Sequence, residues 1–265
     1  MSRPEEIAPP ELFYNDDESK KYTESSRVQH IQSEMTHRAL ELLNIPPSQY
    51  ILDIGCGSGL SGEILTEEGH TWVGMDIAAS MLGNALDREV EGDLFLADMG
   101  QGIPFRAGTF DAAISISVIQ WLCNADSSNA DPKKRLMKFF ATLFASLKRG
   151  GKVVCQFYPS NDRQLESILN AAKATGFGGG VVLDNPDSKK NRKYYLVLSA
   201  GQSDREIDLT GVKVEDVSHS SKKNRKKGDE STKDYIRRKK ETMRKRGRAV
   251  ALDSKFTGRK RKVQF

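Results

Sequence analysis

The stretch 51-ILDIGCGSGLSG-62 decides the fold: an apolar run carrying one acid, Asp53, meets a turn with glycine at 55, 57, 59 and 62. A short apolar run that breaks into glycines and then resumes as an amphipathic stretch reads as strand, turn and helix, with the turn facing a ligand. Outward from it, further short apolar runs at 71–75, 93–97, 110–116 and 152–157 join 50–54 as strands and alternate with amphipathic segments. That alternation predicts an α/β fold, a mostly parallel sheet wound with helices.

Helices are predicted between the strands. Val28, Ile31, Met35, Ala39, Leu42 and Leu43 recur at helical spacing over 24–44 until Pro46 and Pro47 stop the helix. Over 132–148, Asp131 is placed to cap, Pro132 suits the first turn, and Gly150 with Gly151 ends the helix. A further helix over 161–175 precedes two β-rich runs, 180–184 and 194–199, whose polar connection has no room for a crossover helix. They predict an antiparallel hairpin at the C-terminal end of the sheet. Residues 1–20, with prolines 4, 9 and 10 among charges, read as irregular.

At 265 residues the chain can bury one α/β core and carry an appendage. Of its 41 Lys/Arg, 19 fall in residues 218–265, with 5 of its 36 Asp/Glu, so the tail carries about +14 and the remainder about −9. A polybasic segment of that kind suits phosphate-rich partners or nuclear import. Cys56, Cys123 and Cys155 are scattered, without a paired spacing that would indicate a disulfide framework or a zinc site. No run is long and apolar enough to span a membrane, and the acidic, proline-rich N-terminus is unlike a signal or transit peptide. The expectation is a soluble protein of a reducing compartment, with no membrane partner.

Gly57, Gly59 and Gly62 match G-x-G-x-x-G, and Asp76 ends the next strand, so a dinucleotide remains available on the motif alone. Asp53 beside the turn favours S-adenosylmethionine (SAM), because a carboxylate there repels a pyrophosphate but attracts ammonium and sulfonium charge. Asp76 then suits the two ribose hydroxyls, Asp98 the adenine amino group, and Met99 the ring face. Gly55, Ile77 and Ser115 complete the candidate cofactor contacts with these residues. Each acid taken singly also reads as a cap of the following helix. Three of them ending three successive strands, where ligands of open α/β sheets bind, point to a site.

The segments "ILDIGCGSG", "GMDIAASML", "LADMGQGIPF" and "FDAAISISVIQWL" resemble a class I SAM-dependent methyltransferase. The two ends of the chain, "RPEEIAPPELFYNDDESKKYTESSRVQHIQSEMTHRALELL" and "KDYIRRKKETMRKRG" through "DSKFTGRKRKVQF", resemble a narrower group. This is the eukaryotic small-subunit (18S) rRNA guanine-N7 methyltransferase family known from the Williams–Beuren region, and the likeness covers essentially the whole chain. It implies methylation of one guanosine at N7, a role in ribosome assembly in nucleus and nucleolus and also the cytoplasm, and a small zinc-binding activator subunit. By the same resemblance Tyr22 and Arg27 contact the SAM carboxylate or shape a lid.

Guanine N7 carries an in-plane lone pair and no proton, so this chemistry asks for alignment rather than a general base. No His/Asp or Cys/His arrangement lies near the strand ends, and the fourth strand lacks the Asn/Asp-Pro-Pro-aromatic box of many amino-group methyltransferases. Trp121 follows that strand and can stack on a flipped-out guanine or pack in the core beside Ile119 and Leu122. Leu94, Phe95 and Leu96 in the third strand, 93–97, would form an apolar sheet edge where the activator could add a strand. The expected organisation is an N-terminal lid segment at 1–23, a methyltransferase domain at 24–200, a connecting segment at 201–217 and a basic tail at 218–265. The tail, with 232–246 able to turn helical on RNA, is expected to add RNA affinity and nuclear import. Two other readings stay open, a methyltransferase for another RNA such as tRNA and a ribosome-assembly factor whose methyl transfer is dispensable.

Overall fold

The computed structural model describes residues 3–125, 131–188 and 191–201, together with Arg237, Lys240, Arg244 and Leu252. The chain divides into two units, Met1–Val214 and Glu215–Phe265, and the fold set out here belongs to the first.

In β1 (Tyr50–Ile54) the side chains of Ile51, Leu52 and Ile54 are all fully buried, on both faces of the strand. Such a strand reads as a continuous apolar run because helices cover both sides of the sheet. Around it lie β2 (Thr71–Asp76), β3 (Asp93–Leu96), β4 (Phe110–Ile116), β5 (Leu147–Phe157), β6 (Phe177–Asp184) and β7 (Lys193–Ala200). Their order is β3-β2-β1-β4-β5-β7-β6. The first five pair in parallel, and β7 enters antiparallel between β5 and β6. The expected sheet, with its antiparallel C-terminal hairpin and its third strand at one edge, is therefore present. Strand order reverses between β1 and β4, which opens the ligand crevice at their carboxyl ends.

On one face α3 (Ser26–Leu43), α4 (Leu60–Glu67) and α5 (Ala79–Asp87) bury Met35, Leu43, Leu65 and Leu82 against Ile51, Ile114 and Val154. On the other, α6 (Pro132–Ser146) and α7 (Asp162–Ala174) bury Phe139, Phe140, Leu143 and Ile168 against Leu52, Ala113 and Val153. Asp131 caps α6 through the amides of Lys133 and Lys134, with Pro132 in its first turn.

Two expectations need correction. Residues 1–20 are not irregular: a 3-10 turn at Pro4–Glu6 and α1 (Pro10–Phe13) each start on a proline, and α2 (Asp16–Glu24) follows. Proline lacks the N–H that a first helical position leaves unused, so it starts these turns rather than breaking them. The helix expected over 24–44 is present as α3 (Ser26–Leu43), which starts two residues later because the Ser25 hydroxyl caps it by accepting the Val28 amide. Gly150 and Gly151 do not end α6; the chain is extended from Leu147, and the register on β4 jumps from Phe110↔Leu147 to Ala112↔Lys152. The intervening bulge uses Gly150 at φ +80°.

The expected connecting segment 201–217 and basic tail 218–265 lie outside the described residues, apart from Gly201, Leu252 and the helical Arg237, Lys240 and Arg244. Among the described residues no helix is long and apolar enough to cross a membrane.

Candidate active site

After β1 the backbone turns through Gly55 (φ +71°), Gly57 (φ +52°) and Gly59 (φ +78°) into α4. All three are in the left-handed region, where a side chain is strained. At Gly55 a Cβ would also lie 2.4 Å from a Val118 methyl, so the turn presses against the segment that follows β4.

Asp76, at the end of β2, holds this turn: its Oδ2 accepts the Gly57 amide and its Oδ1 accepts the Ala78 amide, both at 2.8 Å. Burial pushes its carboxyl above the usual range, and the backbone amides pull it back. Asp98 accepts the Gly100 amide at 2.7 Å, and Arg135 of α6 donates to both its oxygens at 3.1 and 3.4 Å. Its carboxylate therefore caps the 3-10 turn at Met99–Gln101 and anchors α6 while one side faces the crevice.

One cavity spans the strand ends. Gly55, Gly57, Asp76, Ile77, Asp98 and Met99 line it from the sheet side. Pro10, Tyr14, Tyr22 and Gln32 line it from the N-terminal helices, and Ser117, Val118, Trp121 and Arg135 complete the wall. Ser117 adopts φ +64°, an uncommon conformation for a residue with a side chain, held where Gln156 accepts its amide and its hydroxyl at 2.9 and 2.8 Å.

Eight of the expected site residues thus line one cavity: Gly55, Gly57, Asp76, Ile77, Asp98 and Met99, with Tyr22 and Trp121. Four stand elsewhere. Asp53 is fully buried behind the turn, where Ser61 of α4 donates to its Oδ2 at 2.6 Å and its Oδ1 has no hydrogen-bond partner among the described residues. Burial, with the nearby charge of Asp76, pushes its carboxyl up to about 7 against the opposing Ser61 hydrogen bond. Gly59 is the residue before α4, Ser115 is buried inside β4, and Arg27 is exposed in the first turn of α3. Gln32, Ser117 and Arg135 are added by the structure; they come from two separate helices and a loop, so no local pattern marks them.

A second cavity of about 360 Å3 adjoins the first and shares Tyr14, Tyr22, Gln32, Ser117 and Trp121 with it. Trp121 is 6% exposed and packs against Phe13 and Tyr14 at ring-centroid distances of 6.1 and 6.0 Å, so it serves both as packing and as the shared wall.

Comparison with known proteins agrees with this geometry. A family model described as "Methyltransferase involved in Williams-Beuren syndrome" matches residues 188–263, and a general methyltransferase-domain model matches residues 52–155. The 18S rRNA (guanine(1575)-N(7))-methyltransferase of Saccharomyces cerevisiae is 63% identical, covering 100% of both chains. The 18S rRNA (guanine-N(7))-methyltransferase of Mus musculus is 49% identical over 99% of this chain and 98% of its own. Among solved structures, a Haemonchus contortus phosphoethanolamine N-methyltransferase in complex with SAM shares the fold at TM-score 0.55 and 17% identity, covering 77% of this chain and 61% of its own. A chain from the complex between a Haloferax volcanii methyltransferase activator and a methyltransferase does so at TM-score 0.53 and 15% identity, over 75% and 100%.

Proposed function

The chain belongs to the 18S rRNA (guanine-N7)-methyltransferase family, and from that premise we infer how its residues carry the reaction. It transfers a methyl group from SAM to N7 of a guanosine in 18S rRNA. The observation that carries the site assignment is the bonding of Asp76. Each oxygen of its carboxylate is fixed by a backbone amide, Oδ2 by Gly57 and Oδ1 by Ala78, and the group lines the cavity, where a two-oxygen acceptor suits the two ribose hydroxyls. Ile77 and Met99 flank the adenine, Asp98 takes its amino group, and Tyr22 closes the methionine end. Asp53, which stands behind the turn, serves by tying β1 to α4 through Ser61.

When bound, SAM supplies an electrophilic methyl group on a positively charged sulfur. This chain's residues then align the base. Attack of the N7 lone pair on that carbon would displace the sulfur with its bonding pair and pass the positive charge to the base, so the residues lining the cavity would have only to hold donor and base in line. No proton moves, so the work is positioning and exclusion of water. Residues 1–23 act as the lid, a reading supported by the presence of Pro10, Tyr14 and Tyr22 in the cavity wall.

A small zinc-binding activator adds a strand to β3. This is supported by the exposure of Phe95 (44%) and Leu96 (63%) on a strand that, among the described residues, pairs only with β2, and by the activator in the complex that contains one structural neighbour. The basic segment 218–265 supplies salt-dependent RNA affinity and nuclear and nucleolar delivery, and it follows the methyltransferase domain at 24–200 through the connection at 201–217.

The test is transfer of labelled methyl from SAM to purified pre-ribosomal small subunits, with and without activator, followed by nucleoside analysis. Label in 7-methylguanosine that disappears with Asp76→Lys is the expected result. Label in another nucleoside, or none, refutes the assignment; ribosome assembly that survives Asp76→Lys would give the assembly role precedence over catalysis.

A further inference from the structure

Glu5 has a chemical feature the methyl-transfer site leaves unused. It sits in the 3-10 turn at Pro4–Glu6, its side chain is only 5% exposed, and it lines the second cavity. A carboxylate with so little access to water gains from any donor that reaches it. Among the described residues no hydrogen bond reaches its oxygens, and its ion pair with Arg3 is long, 3.8 Å. Arg3 is occupied elsewhere, donating to the Tyr158 carbonyl at 2.8 Å and the Ser160 hydroxyl at 3.3 Å. The turn itself is pinned from the other side, where Asn124 donates to the Glu5 carbonyl at 2.7 Å. Sequence far apart thus fixes one acid over one cavity.

The surroundings suit a planar base. Trp121, Tyr14, Tyr22 and Tyr158 contribute aromatic surface to the same wall, and the cavity's roughly 360 Å3 falls within the range of small-molecule sites. Tyr22 accepts the Gln32 amide at 2.7 Å, so its own hydroxyl hydrogen is still free to donate, and burial keeps that phenol protonated by pushing its pKa up. Gln120 donates to the Ser117 carbonyl at 2.8 Å while its side-chain oxygen has no partner among the described residues.

We propose that this second cavity holds the target guanine, with Glu5 reading its Watson–Crick edge. This rests on the N7-methyltransferase reading and deepens it. Guanine presents two adjacent donors, N1–H and the N2 amino group, on the edge opposite N7, and a carboxylate is the side chain that accepts both at once. The cavity shares Trp121 and Ser117 with the cofactor cavity, so a base gripped by its far edge turns N7 toward the methyl donor. Tyr22 supplies a donor for O6. Adenine would set its bare N1 lone pair against the carboxylate and be refused; hypoxanthine would keep N1–H and lose the second hydrogen bond. Specificity for guanine then lies in the N-terminal segment rather than in the methyltransferase sheet.

The experiment measures binding of guanosine monophosphate and inosine monophosphate to the full-length protein with its activator, in the presence of S-adenosylhomocysteine, for the wild type, Glu5→Gln and Glu5→Ala. The wild type should prefer the guanosine form by about 10- to 100-fold, the loss of one hydrogen bond to a charged group. Both variants should bring the preference to within about threefold while S-adenosylhomocysteine affinity, the readout of an intact fold, stays unchanged. Absence of guanosine monophosphate binding, equal binding of the two nucleotides by the wild type, or a preference that survives both substitutions overturns the proposal. Failure of the underlying function is read separately, as absence of 7-methylguanosine in 18S rRNA treated with the wild type.

Discussion

Gly57 donates its backbone amide to Asp76 Oδ2 at 2.8 Å, fastening the turn after β1 to the end of the neighbouring strand β2. The same carboxylate takes Ala78 at its other oxygen, so it organises the cavity wall before any ligand arrives. Asp76→Lys removes both acceptors and sets a cation where hydroxyl hydrogens should point. SAM affinity should fall by more than about 100-fold, the scale of two hydrogen bonds to a charged group. Asp76→Asn, which keeps one acceptor oxygen, should fall by about tenfold. Calorimetric titration of SAM decides this, and affinity of Asp76→Lys within threefold of wild type would remove Asp76 from the site.

Gly55 faces Val118 so closely that an added Cβ would meet its methyls at 2.4 and 2.6 Å, and its φ of +71° disfavours any side chain. Two separable penalties follow. Gly55→Ala should destabilise the fold by about 2–4 kcal/mol, of which about 1–2 kcal/mol is backbone strain. Adding Val118→Ala should recover the steric share and leave the strain. Denaturant unfolding of the two single variants and the double variant measures the coupling, and strictly additive losses would mean the loop and the β4 exit do not press on one another.

The sheet was legible because its signals are local: apolar runs, glycine breaks and strand-end acids each occupy a few adjacent residues. The helices before α3 are hidden in the sequence because prolines 4, 9 and 10 among charges read as breakers, although Pro4 and Pro10 begin turns. Asn15 followed by three acids was the available signal for α2, since Asn15 caps the Asp17 and Glu18 amides and the acids favour the positive helix start. Asp53 illustrates the opposite limit. Its charge and position at the end of β1 suggested ligand contact, but the turn folds over it and Ser61 takes its oxygen, a tertiary outcome that spacing does not encode. The Glu5 cavity draws its walls from residues 3–5, 14, 22, 28–35, 117–121 and 158, so it exists only once the chain has folded.

Asp53 gives a pH signature. Its carboxyl titrates at about 7 in the fold because burial disfavours the charge, against about 3.9 when unfolded. Between these values the folded chain binds more protons than the unfolded chain, so this group's contribution makes stability fall as pH rises from about 4 to about 7. The penalty is absent below that window and complete above it. Relative to Asp53→Asn, the wild type should lose up to about 4 kcal/mol of unfolding free energy between pH 4 and pH 8. Parallel denaturant titrations of the two proteins measure this, and a difference independent of pH would show that Asp53 stays ionised in the fold.

Phe95 stands on the outer edge of the sheet, its ring 5.1 Å from that of Phe105 and 44% exposed. A strand added there would cover Phe95 and Leu96 and satisfy the unpaired edge of β3. Phe95→Asp places a charge in that contact while leaving the cavity wall untouched. Activator affinity should drop by at least about 100-fold, as for loss of an aromatic anchor at an interface. SAM binding measured at the same protein concentration should hold if the edge serves only docking, and thermal unfolding should shift little because the residue is already half in water. A Phe95→Asp protein that remains soluble and still binds the activator would place the partner on another surface.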